Sequence, residues 1–293
     1  SLVRLLVGRL FSTRYRIEIM GFEQIPSQGA VLMLGNHISW LDWAMLQIAC
    51  PRPIRFVMHR DIYNRWYLNW LFRLFGVVPI AGGNSQASLL EINRLLKAGE
   101  VVCLFPEGAI SRNGQLGEFK QGYERTVEGV EGVILPFYLR GLWGSRFSRS
   151  SAQTRRHRRQ GWRRDIIVAF GTPLPIATPA TELKQKVFDL SISAWERHTA
   201  ALDPIPLAWI RSARRLGRRT CLIDSQTGSQ FSGFRALTAA TLLSRMIGRR
   251  SPERNIGLLL PTSSAGLLAN LAVLLQNKRT VNLNYTASIE ALQ

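Results

Sequence analysis

The amino-acid sequence predicts an α/β protein: a central, mostly buried sheet flanked by helices, followed by a partial second α/β unit. Three features predict it. Short apolar runs alternate with helical periodicities as far as Ala200. The runs AVLML (30–34) and EVVCLF (100–105) are almost wholly apolar, as strands buried on both faces are. The alternation breaks at ALDPIP (201–206), where two prolines intervene, and then restarts. With 293 residues, 46% of them hydrophobic, the chain can bury a sizeable core.

The elements follow in order. SLVRLLVGRLF, with Arg4 and Arg9 among helically spaced apolar residues, reads as a basic amphipathic helix suited to an anionic membrane surface. RYRIEIM alternates like a strand, and AVLML is the next. Ser39 as N-cap, with Asp42 three residues on, predicts a helix over SWLDWAMLQIAC. IRFVMH reads as a strand, and WYLNWLFRLFG as an aromatic helix closing at Gly76. VVPI reads as a short strand, and residues 84–98 as a helix with Leu89, Ile92 and Leu96 on one face. EVVCLFPEG is a strand running into a turn. GVILPFYL and DIIVAFG are further strands, separated by the basic loop RFSRSSAQTRRHRRQGWRR. Thr181–His198 reads as helical. WIRSARRLGRR then looks like a basic connector. Beyond it TCLID, NIGLLLP and TVNLN read as strands, and FRALTAATLLSRMIG and SAGLLANLAVLLQ as helices. The domain expectation is 1–202, a basic linker at 203–219, and a fragment of a second domain at 220–293.

The formal charge of +19, from 38 basic and 19 acidic residues, favours an anionic partner. The run RRHRRQGWRR would suit nucleic acid, but no zinc spacing or RNA-binding signature accompanies it, so nucleic acid is not the expected partner; a basic nucleic-acid binder or a catalytically silent membrane-surface scaffold stays open as the alternative. Anionic headgroups or an acidic carrier protein account for the same charge. Cys50, Cys103 and Cys221 lie far apart, with no metal-ligand spacing, which points to a reducing compartment. The uncharged stretch 256–276 is long enough to span a bilayer, but Pro261, Ser263, Ser264 and Asn270 interrupt it. A buried strand followed by a core helix is the preferred reading.

GNHISWLDW (35–43) follows the buried strand AVLML, so His37 falls at a strand's C-terminal end, where open α/β sheets hold ligands. A neutral imidazole can take a proton from a hydroxyl, and Asp42 can orient the ring and balance its charge. A capping box would explain Ser39 and Asp42 without chemistry, but it leaves His37 idle. No nucleophile elbow is evident, so the pair suits activation of a substrate hydroxyl. A second block, LFPEGAISRNG (104–114), also ends a strand.

Together NHISWLD and FPEG, each after a strand, with VILPFYLRG (Pro136) beyond, resemble the lysophospholipid and glycerol-phosphate acyltransferase family over Val3–Ala200. The resemblance implies that family's fold and the transfer of an acyl group from an acyl thioester to a lysophospholipid or glycerol-phosphate hydroxyl. It implies His37 as general base and Asp42 as its partner. Glu107 and Gly108 would shape the acceptor pocket, with Asn36, Ser39 and Arg60 contributing. No metal or other cofactor is implied. Two departures concern the acceptor phosphate. The family commonly has an arginine soon after its PEG glycine, as in FPEGTR, where Ala109 and Ile110 stand here, and PIAGGNSQ (79–86) also lacks one. Arg112 becomes the first candidate, through bidentate pairing.

The C-terminal stretch from TGSQFSGF onward resembles the opening of an adenylate-forming acyl-ligase domain, without that family's Ser/Thr/Gly-rich ATP loop. Such a succession resembles bifunctional acyltransferase/acyl-acyl-carrier-protein synthetases, which favours acyl-carrier protein over acyl-CoA as donor. The expected location is the cytoplasmic face of the inner membrane, peripheral or tethered.

Overall fold

The computed structural model describes residues 9, 11, 13–59, 63, 77–80, 86–157 and 163–288; at 58, 59, 78–80 and 157 it describes the backbone alone. The expected aromatic helix around residues 66–76, most of the N-terminal amphipathic helix and Arg60 lie outside them. The chain divides into two compact units, Ser1–Ala200 and Ala201–Gln293.

In the first unit the chain runs β1 (Tyr15–Met20), β2 (Ala30–Gly35), α1 (Asp42–Ala49), β3 (Ile54–His59), β4 (Val78–Ile80), α2 (Gln86–Lys97) and β5 (Val101–Leu104). It continues through β6 (Gly132–Arg140), α3 (Ala152–His157), β7 (Arg164–Phe170), β8 (Leu174–Pro175) and α4 (Ala180–Ala200). One sheet has the order β1-β7-β6-β2-β5-β3-β4, with β8 beside β6. Pairing is parallel from β6 across to β4 and between β1 and β7, while β7 and β8 run antiparallel to β6.

β2 sits between β5 and β6, and all six of its residues are buried. Its apolar character on both faces has a direct structural cause. Alternate side chains enter opposite cores. Val31 and Met33 pack on one face with Met45 and Leu46 of α1, Ile54, Phe56 and Phe137. Leu32 and Leu34 pack on the other with Ile92 and Leu96 of α2 and Leu183 and Val187 of α4. The apolar stripes of α1, α2 and α4 thus cover the two faces of one sheet, and both motif loops leave the C-terminal ends of neighbouring strands, β2 and β5.

Three local expectations change. The first helix starts at Asp42, not Ser39, and has Leu41 as its N-cap residue. The reason is that Asp42 accepts the amides of Ile38 and Ser39 (2.7 and 3.0 Å), which folds 38–41 into a turn before the helix. The basic loop after β6 contains the short helix α3 and two buried serines, Ser148 and Ser150, with the buried Ser145 just before it. The stretch read as a connector is largely the helix α5 (Ile205–Leu216), because Pro204 sits at its N-cap and Trp209 packs on the core of the second unit.

The second unit continues with β9 (Thr220–Ile223), β10 (Gln230–Ser232), α6 (Gly233–Arg250), β11 (Asn255–Leu258), α7 (Ser264–Leu275) and β12 (Arg279–Asn282). β9 and β10 form an antiparallel pair, and β11 and β12 a parallel one. Ser232 and Ser263 cap α6 and α7, accepting from Arg235 and Gly266 amides at 3.3 and 3.2 Å. The uncharged stretch 256–276 is strand, turn and helix, as expected. No helix among the described residues is long and apolar enough to cross a membrane.

Candidate active site

The site begins where β2 ends. Gly35 must be glycine: a Cβ there would lie 2.2 Å from the Phe137 carbonyl oxygen of β6. Asn36 then extends the β2–β6 pairing with its side chain. Its Nδ2 donates to the Leu139 carbonyl (2.9 Å) and its Oδ1 accepts the Leu139 amide (2.7 Å). Asn36 is fully buried and both amide atoms are used by β6, so its visible contribution is to fix the backbone that presents His37.

His37 Nδ1 lies 2.7 Å from Asp42 Oδ2. Since a carboxylate oxygen accepts, Nδ1 carries the proton and the neutral ring keeps its lone pair on Nε2. The same Oδ2 also takes the Ile38 and Ser39 amides, so three donors converge on one oxygen. Asp42 is wholly buried, whereas the His37 side chain keeps 20% of its surface exposed. Burial pushes the Asp42 carboxyl up, against the opposing pull of His37 and the two amides. The ring face stacks on Phe105, centroids 4.0 Å apart and planes 17° from parallel.

The second motif holds His37 through its backbone. Glu107 Oε1 accepts the His37 amide (3.0 Å), and the Ser111 amide donates to the His37 carbonyl (2.7 Å). The Gly117 amide also bonds the Glu107 carboxylate. Burial raises the Glu107 carboxyl, opposed first by the His37 amide. Gly108 turns the chain with φ +74° and is exposed, and Ser111 closes the following turn by accepting the Gly114 amide (3.0 Å). On the other flank, Ser39 Oγ donates to the Phe147 carbonyl (3.2 Å) and accepts the Leu41 amide (3.2 Å), and the Trp40 amide reaches the same carbonyl (3.0 Å).

The structure therefore brings together Asn36, His37, Ser39, Asp42, Glu107 and Gly108. Arg112 is exposed on the turn after the PEG, and Arg60 lies outside the described residues. Sequence reasoning missed Phe105 and Phe147. The place of Phe105 immediately before the PEG was a usable signal; nothing local marks Phe147. Cys103 lies one strand away, but burial pushes its thiol well up, so it is no thiolate nucleophile at neutral pH. No group of side chains suited to holding a metal ion occurs among the described residues. A cavity of about 460 Å³ lies between the β6 end and α4, lined by Leu116, Tyr138, Phe188, Ile192 and Trp195 among others.

Comparison with known proteins sharpens this picture. Residues 16–140 match the acyltransferase family model. A chloroplastic 1-acyl-sn-glycerol-3-phosphate acyltransferase of Arabidopsis thaliana is 33% identical over 132 residues, 43% of this chain and 36% of that protein. A probable 1-acyl-sn-glycerol-3-phosphate acyltransferase of Mycoplasma pneumoniae is 28% identical over 56% of this chain and 64% of its own length. The chain thus spans between about a third and two thirds of these curated relatives. The crystal structure of the 1-acyl-sn-glycerophosphate acyltransferase of Thermotoga maritima superposes with a TM-score of 0.53 at 18% identity, over 69% of this chain and 80% of that one, a likeness of fold. Residues 16–140 are thus similar to the acyltransferase family model and to 1-acyl-sn-glycerol-3-phosphate acyltransferases in sequence, and the first unit shares its fold with one of known structure.

Proposed function

We propose that the chain transfers a fatty acyl group from an acyl thioester to the free hydroxyl of a lysophospholipid, with a lysophosphatidate-type acceptor as the first substrate to try. The observation that carries this reading is the 2.7 Å contact between His37 and the buried Asp42, at a strand end whose backbone is clamped by Glu107. In this reading Nε2 takes the proton of the acceptor hydroxyl as its oxygen attacks the thioester carbonyl. The tetrahedral intermediate collapses with loss of the C–S bond, and the imidazolium returns its proton to the departing thiolate. Ester and free thiol result. Asp42 keeps the productive tautomer and balances the imidazolium. The relatives' names support the acceptor class; the charge of +19 suits either anionic donor, and the likeness of the C-terminal stretch to acyl-ligase domains favours acyl-carrier protein over acyl-CoA.

Three further parts of the reading concern surroundings. The cavity beside Tyr138 and Trp195 accepts the apolar part of a substrate. The protein binds peripherally to an anionic, cytoplasm-facing membrane through its basic surface and the N-terminal amphipathic stretch. The second unit is the opening of an acyl-ligase domain and takes no part in transfer. The experiment is release of thiol from acyl-carrier protein or acyl-CoA, dependent on lysophosphatidate and slowed about 10²–10⁴-fold in His37→Ala. Thiol release that ignores the lysolipid would overturn the acceptor, and none from any thioester would overturn the reaction.

A further inference from the structure

The positions directly after the PEG carry no charge: Ala109 is exposed and Ile110 is buried. A cation nevertheless lies on that turn. Lys120 follows the loop by sixteen residues after Leu104, at the start of the 3-10 segment Gln121–Thr126, and its amide donates to the Pro106 carbonyl (3.0 Å). That bond sets the lysine beside the PEG. Its side chain then runs across Gly108. A Cβ built on Gly108 would lie 2.8 Å from Lys120 Nζ, 3.1 Å from Cε and 3.4 Å from Cδ. The ammonium thus sits over the glycine next to Glu107, whose carboxylate holds the His37 amide.

No carboxylate among the described residues claims this ammonium. Glu107 is engaged by the His37 and Gly117 amides, and the nearby Glu118 is paired with Lys184 at 2.5 Å. An exposed lysine that folds over a turn, instead of extending into water, places a point charge beside the site with donors to spare. The left-handed Gly108 is what leaves room for it.

We infer that Lys120 binds the phosphate of the acceptor, supplying from sixteen residues beyond the strand end the charge that Ala109 and Ile110 do not. The inference rests on the acyl-transfer reading for its consequence, but not for the phosphate site itself. Packing of the aliphatic stem on Gly108 is the rival role, and Lys120→Met keeps most of that stem while removing the charge.

The test therefore uses two readouts on the full chain, wild type, Lys120→Met and Lys120→Arg. The first is binding of sn-glycerol 3-phosphate by calorimetry or chemical-shift titration, which needs no turnover. Lys120→Met should weaken it at least tenfold and Lys120→Arg should restore most of it. The second is the ratio of kcat/KM for lysophosphatidate over monoacylglycerol, which should fall at least tenfold in Lys120→Met, chiefly through KM. Binding that is equal in wild type and Lys120→Met, or absent from wild type, overturns the proposal. A ratio that stays constant while both acceptors lose activity together shows a packing role and also overturns it. Charge-dependent glycerol 3-phosphate binding without any acyl transfer would uphold the phosphate site and sink the acyl-transfer reading, so the two failures are distinct.

Discussion

At the scale of single residues, the site divides its two carboxylates by what they hold. Asp42 holds the His37 ring and Glu107 holds the His37 backbone, so ring and backbone can be tested separately. His37→Ala removes the proposed base and should lower kcat by about 10²–10⁴-fold, the usual worth of general-base catalysis, with the circular-dichroism spectrum unchanged. Wild-type-like kcat in that variant would remove His37 from the chemistry. For Glu107 the prediction is a pH dependence. Burial raises its folded carboxyl above the ordinary 4.5. A carboxyl raised on folding contributes stability that is fully present below the unfolded value and is lost as pH rises through the folded one. Glu107→Gln keeps an oxygen for the His37 amide but cannot ionise. Its Tm should therefore decline less than that of wild type as pH rises from about 4 through the weakly acid range. Parallel Tm–pH curves would show that Glu107 is not the group responsible.

At the scale of elements, the exit of β2 is held by one side chain acting as backbone. Asn36→Ala leaves the Leu139 amide and carbonyl buried without the Asn36 partner. It should cost about 1–3 kcal/mol, read as a lowered midpoint in urea at constant m-value. Activity should fall with it, since the same residue adjoins His37. A stability loss below about 0.5 kcal/mol, the ordinary effect of a surface change, would mean that the β2–β6 clamp is not needed. Gly35→Ala tests the same junction by the opposite route. Its Cβ would meet backbone, not a flexible side chain, so the strands must part, at a cost of about 1–3 kcal/mol.

At the scale of the whole molecule, charge dominates. With a formal charge of +19 and no membrane-crossing helix among the described residues, flotation with anionic vesicles should be strong at low salt and fall as ionic strength rises. Recovery with vesicles after alkaline carbonate extraction would instead indicate insertion. The reading of the second unit is tested on the full chain. Its core is small, with Ile223, Leu242, Leu259 and Val281 exposed, and the ligase reading proposed for it comes without an ATP loop in this sequence. This 293-residue chain should show no fatty-acid-dependent ATP–pyrophosphate exchange. Exchange above background would make residues 201–293 a working adenylation site.

What the sequence by itself determined is what short-range chemistry encodes. Apolar runs flanked by turn residues specified β2, β3, β5, β6 and β7, and the pairing of His37 with Asp42 spans five residues, a distance that one turn closes. Even there, the cap was legible only in part: Ser39 looked like the helix start, but Asp42 collects the amides before it and delays the helix. Only the tertiary structure decided which strands lie beside β2, and with that the rest of the site. Because β5 is its neighbour, Glu107 meets the His37 amide across seventy residues of sequence. Because β6 flanks its other edge, Asn36 meets Leu139 across 103. Neither partner leaves a mark in hydrophobic period, since a buried parallel strand reads the same whichever strand pairs with it. The placement of Lys120 over Gly108 belongs to the same class: a left-handed glycine could be suspected from PEG, but the cation that fills its missing side chain is fixed by a backbone bond to Pro106 that exists only after the loop has folded back.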